Sequence, residues 1–253
     1  MKVIAIANQK GGAGKTSTAS ALWYWLNHNG HVALAIDLDA QCNLSSAAAA
    51  KTNGGTALGI LTQELAAPDV IQHTEQGDII AASAKLSAAD TMLADETGKE
   101  FRIKEALEPL ADAYDFAIID TPPHIGVLTK NALTAADYVV IPSQGDAFSL
   151  SGIEQIGKSI DAIRHYYNPA LKVEGILLTR FNPRTTISQV IRDSIEETAQ
   201  RMGAKLFETT IREATAVKEA QLIHLSIFQH APQSNVAEDY ENFCKELIGG
   251  ISS

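Results

Sequence analysis

Cysteine is scarce. Cys42 and Cys244 are the only two among 253 residues, too far apart in sequence to serve as a metal-ligand pair, so a disulfide framework and a paired-thiolate metal site are both excluded. A reducing compartment, the cytoplasm, is expected. Long hydrophobic runs are missing as well: no stretch approaches ~18 consecutive apolar residues, and Met1-Lys2-Val3 leads straight into a strand pattern without a signal-type hydrophobic region. The expectation is a soluble, unprocessed chain. Basic charge is in deficit, with 20 Lys and Arg against 30 Asp and Glu, a net charge of -10. That excludes a globally basic nucleic-acid binder while saying little about any one face. Proline and glycine never cluster densely enough to mark a linker, and no tandem repeat is present, so residues 1–253 read as a single domain.

What is present is an ordinary globular composition, 45% hydrophobic, arranged as alternation. Short apolar runs rich in β-branched residues at 3–7, 32–36, 116–119, 138–141 and 175–179 read as strands, with amphipathic stretches between them. Parallel strands need crossover connections, so the pattern predicts an α/β fold: a mostly parallel twisted sheet with helices on both faces and ligands at the carboxyl ends of its strands. The stretch 45–99 is less regular and reads as a connecting insert of short helices with a further strand near 78–82. At the end, Val236, Tyr240, Phe243, Cys244, Leu247 and Ile248 form one helical stripe, the mark of a helix packed back on the core.

The chemistry starts at Lys10-Gly11-Gly12-Ala13-Gly14-Lys15-Thr16-Ser17, directly after the first strand. Ala19, Leu22, Trp23 and Leu26 then fall at helical spacing, and Gly30 stands where such a helix would stop. A strand, a glycine-rich turn and a helix start aim backbone N–H groups and a positive helix end at an anion. Lys15 neutralises terminal phosphate charge and the Thr16 hydroxyl suits Mg²⁺, so the string reads as a nucleoside triphosphate site. The usual pattern would place a glycine at position 9, which is Gln9; here Lys10 opens the loop instead. A cation placed before the tight turn points away from its own cradle, and a triphosphate has charge to spare for a second lysine.

Two carboxylate loops follow. Asp37-Leu38-Asp39-Ala40-Gln41-Cys42-Asn43 closes the second strand, where alternation puts Asp37 and Asp39 on one side and lets carboxylates order Mg²⁺ waters and an attacking water. An acidic turn that merely caps a helix at Asn43 is the plain alternative. Ala117-Ile118-Ile119-Asp120-Thr121-Pro122-Pro123 is an apolar strand ending in a carboxylate, the setting of an aspartate that holds the Mg²⁺ hydration shell or the Thr16 hydroxyl. Its paired prolines forbid helix immediately afterward.

Together these strings resemble the deviant Walker A ATPases of the ParA/MinD/NifH class, specifically ParA/Soj partition ATPases. The resemblance covers nearly the whole chain, including Pro142-Ser143-Gln144-Gly145-Asp146, Ser151-Gly152-Ile153, Asn182-Pro183-Arg184-Thr185 and Thr210-Ile211-Arg212. It implies a P-loop ATPase using ATP and Mg²⁺, slow without a partner. Lys10 would reach the partner subunit's phosphates in an ATP-bound homodimer, Asp39 would organise the hydrolytic water, and Thr16, Asp39 and Asp120 would serve the metal. Thr179 and Arg212 fall where relatives contact the adenine side. Arg184 matches an arginine used on nonspecific double-stranded DNA. A second such arginine is replaced by Ala216, with Lys218 nearby as a substitute point charge. A ParB-like centromere-binding protein is the implied stimulating partner, and a nucleoid-associated cytoplasmic protein the implied setting. The short type is expected, without a DNA-binding extension ahead of Lys10. In this chain Ala40 replaces the family's usual proline, which loosens the first loop without removing a chemical group.

Residues 180–218 hold seven basic against five acidic residues while the rest of the chain holds 13 against 25. A solvated, salt-bridged helix face accounts for that asymmetry as well as a DNA surface does. The tail Glu241-Asn242-Phe243-Cys244-Lys245-Glu246 has more acid than base, which argues against a membrane-binding helix. Two other readings share the motifs: a nucleotide-gated scaffold that positions a protein cargo, and a small-molecule ligase or kinase on the same fold.

Overall fold

The computed structural model describes residues 1–146, 149–183 and 186–252. Strand β1 (Lys2–Ile6) shows how the molecule is layered. Its side chains alternate between two faces and both faces are apolar: Val3 and Ala5 enter one core, Ile4 and Ile6 the other. The same division runs through β2 (Ala33–Asp37) and β5 (Phe116–Asp120), which accounts for the near-continuous hydrophobic runs of the sequence. The remaining strands are β3 (Ile71–Thr74), β4 (Gly77–Ile80), β6 (Tyr138–Gln144), β7 (Lys172–Thr179) and β8 (Lys205–Ile211). They form one sheet in the order β3-β4-β2-β5-β1-β6-β7-β8, parallel throughout except for the β3–β4 hairpin.

The helix Lys15–His28 and the carboxyl-terminal helix Asn235–Ser252 cover one face, where Trp23, Leu22, Phe243 and Leu247 are fully buried. Helices Val127–Ala135 and Ser149–Tyr166 cover the other through Leu128, Leu133, Ile153 and Ile160. The predicted stripe of Ala19, Leu22, Trp23 and Leu26 is wholly buried, and Gly30 stands just past the helix end with φ +85°, accepting the left-handed turn that stops it. Between β2 and β5 lie the short helices Ala57–Leu61, Ala67–Val70 and Ala89–Met92, as expected for a connecting insert.

Two strands are additions to the sequence reading. β8 buries only Phe207 and Ile211 fully among its residues, because it lies at a sheet edge, so it lacks an apolar run. β3 has no fully buried residue and pairs antiparallel with β4 across the turn before Gly77, where φ is +134°. The strand expected from Val32 starts one residue later; Val32 is 52% exposed and its carbonyl accepts hydrogen bonds from Asp115 and Phe116.

Register decides where the site falls. Ile6 pairs with Asp120 and Asp37 pairs with Asp120, so the ends of β1, β2 and β5 are level. β1 is flanked by β5 and β6; its own connection runs toward β2 on one side while that of β5 crosses over to β6 on the other, which opens a crevice above the carboxyl end of β1.

Candidate functional site

The glycine-rich loop sits in that crevice. Gly12 (φ +73°) and Gly14 (φ +90°) adopt the left-handed backbone that side chains resist, and a Cβ on Gly14 would lie 3.3 Å from Thr179 Cγ2. Gly14 caps the helix without any side-chain hydrogen bond, which leaves first-turn N–H groups for an anion. The loop is held from β6 and β7. Asn8 Nδ2 donates to the Pro142 carbonyl (2.6 Å), Gln144 Nε2 donates to the Gly12 carbonyl (2.8 Å), and Thr179 Oγ1 of β7 donates to the Ala13 carbonyl (2.8 Å).

A cleft of about 360 Å³ opens over the loop, bordered by Lys15, Thr16, Asp39, Gln41, Asn43 and Pro123 among others. Both switch-like loops therefore reach the same space as the cradle. Lys15 is 7% exposed; burial pulls its pKa down, while Asp120 and Asp39 push it back up. Asp39 lines the cleft, and one of its oxygens accepts the Gln41 N–H at 3.0 Å, closing a tight local turn.

Asp37 separates from Asp39 in role. It is fully buried, accepting from the Ser45 N–H (2.8 Å), the Ser45 hydroxyl (2.7 Å) and the Asp39 N–H (3.0 Å), so it braces the base of the loop and does not line the cleft. Burial raises its pKa to about 6 against those hydrogen bonds. Asp120 is also fully buried, and neither carboxylate oxygen has a hydrogen-bond partner among the described residues. Burial first, then Asp37, holds its pKa well above the carboxylate range; the neighbouring Thr16 hydroxyl, which does not close a hydrogen bond by geometry, and the Lys15 charge pull the other way. An orphaned buried carboxylate is costly unless something cationic or hydrogen-bonding meets it. A hydrated Mg²⁺ at Thr16 fits that need, so the residues present suit the metal.

Lys10 leaves its own cradle, as its place before the turn suggested. Its ammonium pairs with Asp146 and lies 3.5 Å from Ser149 Oγ, while Ser149 donates to the other Asp146 oxygen at 2.9 Å. Partial burial pushes Asp146 up, but the hydrogen bonds from Lys10 and Ser149 outweigh it and keep the carboxyl below its usual range.

A narrower cleft of about 70 Å³ continues from the cradle between β7, β8 and the helix Thr215–Leu222. Thr179, Arg212 and Lys218 all border it. Arg212 is committed elsewhere: Nε and Nη2 both donate to Asp239 at 2.7 Å, a bidentate pair with the carboxyl-terminal helix. Lys218 is exposed at the cleft rim. Arg184 lies outside the described residues. Sequence reasoning missed Asn8 and Asp239, which carry no motif, and it took Arg180 as charge and as the end of the family-like string Gly175–Arg180, with no role at the site, although Arg180 borders both clefts.

A phosphate-cradle loop after β1, with carboxylates at the tips of β2 and β5, defines a P-loop nucleotide-binding protein. A family model described as an AAA domain matches residues 1–173. The chain belongs to the ParA/Soj family: it is 36% identical over 250 residues to the sporulation initiation inhibitor protein Soj of Bacillus subtilis (strain 168), covering 97% of this chain and 98% of that protein. It is 35% identical to the chromosome partitioning protein ParA of Myxococcus xanthus, over 98% of this chain and 88% of that protein. Among solved structures, cobyrinic acid a,c-diamide synthase from Mycobacterium smegmatis with a bound ATP analogue and magnesium aligns with TM-score 0.85 at 30% identity, covering 100% of this chain and 96% of that one. Apo McdA from Cyanothece shares the fold, with TM-score 0.89 at 23% identity over 98% of this chain and 100% of that one. Among the described residues no helix is long and apolar enough to cross a membrane.

Proposed function

We propose that this partition-type ATPase is an ATP-driven dimerising switch that binds nonspecific double-stranded DNA in the cytoplasm, at the nucleoid, and is stimulated by a ParB-like partner. The observation that carries the reading is the convergence of Lys15, Thr16, Asp39 and the second loop's Pro123 on one cleft, with Lys10 turned out of it. ATP is the nucleotide and Mg²⁺ its metal; bound with the nucleotide, the ion would supply charge neutralisation to the phosphates. Thr16 and Asp120 are the groups that would hold that ion. Lys15 neutralises the terminal phosphates, and its burial makes each unit of charge count for more than in water. Asp39, pinned by the Gln41 N–H, orients the attacking water. Lys10 exchanges Asp146 for the phosphates of a second subunit. Two copies then present the basic residues Arg184 and Lys218 together, which raises DNA affinity through effective concentration and makes binding steeply salt-dependent.

Sedimentation and DNA retention with ATP and Mg²⁺ test the reading. Lys10→Ala is expected to remain monomeric and to lose DNA retention; dimerisation and DNA binding equal to the parent would overturn it. A second reading, ligation of a small molecule on this fold, draws on the likeness to the diamide synthase. Phosphate release stimulated jointly by DNA and a ParB-like protein separates the partition switch from that ligase and from a passive cargo scaffold.

A further inference from the structure

Arg180 occupies the junction of the two clefts. It follows β7, and with Gly14, Ser17 and Gln221 it borders both the phosphate cleft over Lys15 and the narrower cleft beside Tyr240. Among the described residues that border both clefts, Arg180 is the one cation. Unlike Arg212, which Asp239 holds on both sides, it makes no ion pair within the described residues. Its backbone is in the left-handed region, φ +50°, where a long L side chain is disfavoured. Such a conformation persists only where the surroundings over-determine it, and the preceding Thr179 does so by donating to the Ala13 carbonyl inside the cradle. The fold thus keeps an exposed, disfavoured arginine locked to the phosphate loop.

We propose that Arg180 is a nucleotide ligand supplied by the same subunit, bearing on the α-phosphate. This rests on the nucleotide reading of the cleft. In a P-loop the lysine serves the β- and γ-phosphates while the first-turn N–H groups cradle the α- and β-phosphates. Asp39 and Pro123 border only the phosphate cleft, whereas Gly14 and Ser17 border both, so the junction falls on the side of Gly14 and Ser17, the α-phosphate end of a triphosphate laid along the loop. The guanidinium fork matches two oxygens of one phosphate. A contact at the α-phosphate is shared by ATP and ADP, so Arg180 retains nucleotide through turnover and does not distinguish the two states.

Equilibrium binding of ATP, ADP and adenosine with Mg²⁺ tests the assignment in the parent, Arg180→Met and Arg180→Gly, each full length. Both variants are expected to bind ATP and ADP weaker by one common factor, about ten- to hundredfold for a lost charge-assisted contact, with displacement by adenosine unchanged. Arg180→Gly is expected to melt no lower than the parent, because glycine takes the left-handed backbone freely, so weaker binding there cannot come from a damaged fold. Unchanged ATP and ADP affinities overturn the proposal. So does a loss confined to ATP, which places the contact at the γ-phosphate, or a loss that extends to adenosine, which places it at the base. If the parent itself binds no nucleotide, the reading of the cleft falls with it, and that result is read before any variant is made.

Discussion

At the scale of single residues, the site is governed by where charge is held and what it costs to hold it. Lys15, Asp39 and Asp120 share one small buried volume: the two carboxylates push Lys15 up against the pull of burial, while Lys15 lowers and Asp39 raises Asp120. Lys10 is tethered outside it by Asp146, with side-chain exposures of 26% and 39%. An ion pair that open to solvent is worth at most ~1 kcal/mol, so it acts as a parking place and not as a lock. Asp146→Asn is therefore expected to lower the ATP concentration needed for half-maximal dimerisation by a modest factor, about two- to fivefold, measured by light scattering across an ATP titration. An unchanged or higher midpoint would mean that the Asp146 contact does not compete with the cross-subunit one. Lys10 and Lys15 were legible in the sequence because their spacing to glycine is itself the signal. Asp146 was legible only as part of a family string, and nothing in the sequence tied it to Lys10 across 136 positions.

Elements position these residues by burying what lies behind them. The helix that begins at Lys15 is anchored by Trp23, fully buried, whose indole N–H donates to the Ala33 carbonyl at 3.1 Å and so ties the helix to β2. Trp23→Ala removes that bond and leaves a cavity between this helix and the starts of β2 and β4, with an expected loss of about 3–5 kcal/mol in urea unfolding. A loss below ~1 kcal/mol would show that the helix is not held through this contact. Periodicity exposed this helix because three turns of it face one core. The same logic failed for β8 and β3, where edge position leaves one side in water and no run of apolar residues forms. Asp37 and Asp39 show the limit of alternation: the pattern places both on one side of an extended chain, but the strand ends at Asp37, and the turn beyond it sends Asp39 to the cleft while Ser45 claims Asp37.

Across the whole molecule, the level strand ends stack carboxylates in a region of low dielectric, and this has a pH signature. Asp37 titrates at about 6 and Asp120 well above the ordinary value, both raised mainly by burial. A carboxyl whose folded pKa lies above its unfolded value adds stability that is complete below about pH 4 and is lost as pH rises through the folded pKa. The nucleotide-free protein is expected to melt at a lower temperature at pH 7 than at pH 5, and Mg²⁺ with ADP is expected to reduce the difference by supplying cationic charge beside Asp120. Differential scanning calorimetry at the two pH values checks this; a higher melting temperature at pH 7 without nucleotide contradicts it. The sequence by itself determined the fold class, the cradle and the two carboxylate loops, because each is written in residues adjacent along the chain whose chemistry works at fixed short spacing. Only the tertiary structure decided that Asp37 is a brace, that Arg212 belongs to Asp239, that Lys10 rests on Asp146 and that Arg180 stands between the clefts. Each of those facts depends on which strand lies beside which and how their ends line up, and contacts between distant segments leave no periodic trace in a single chain.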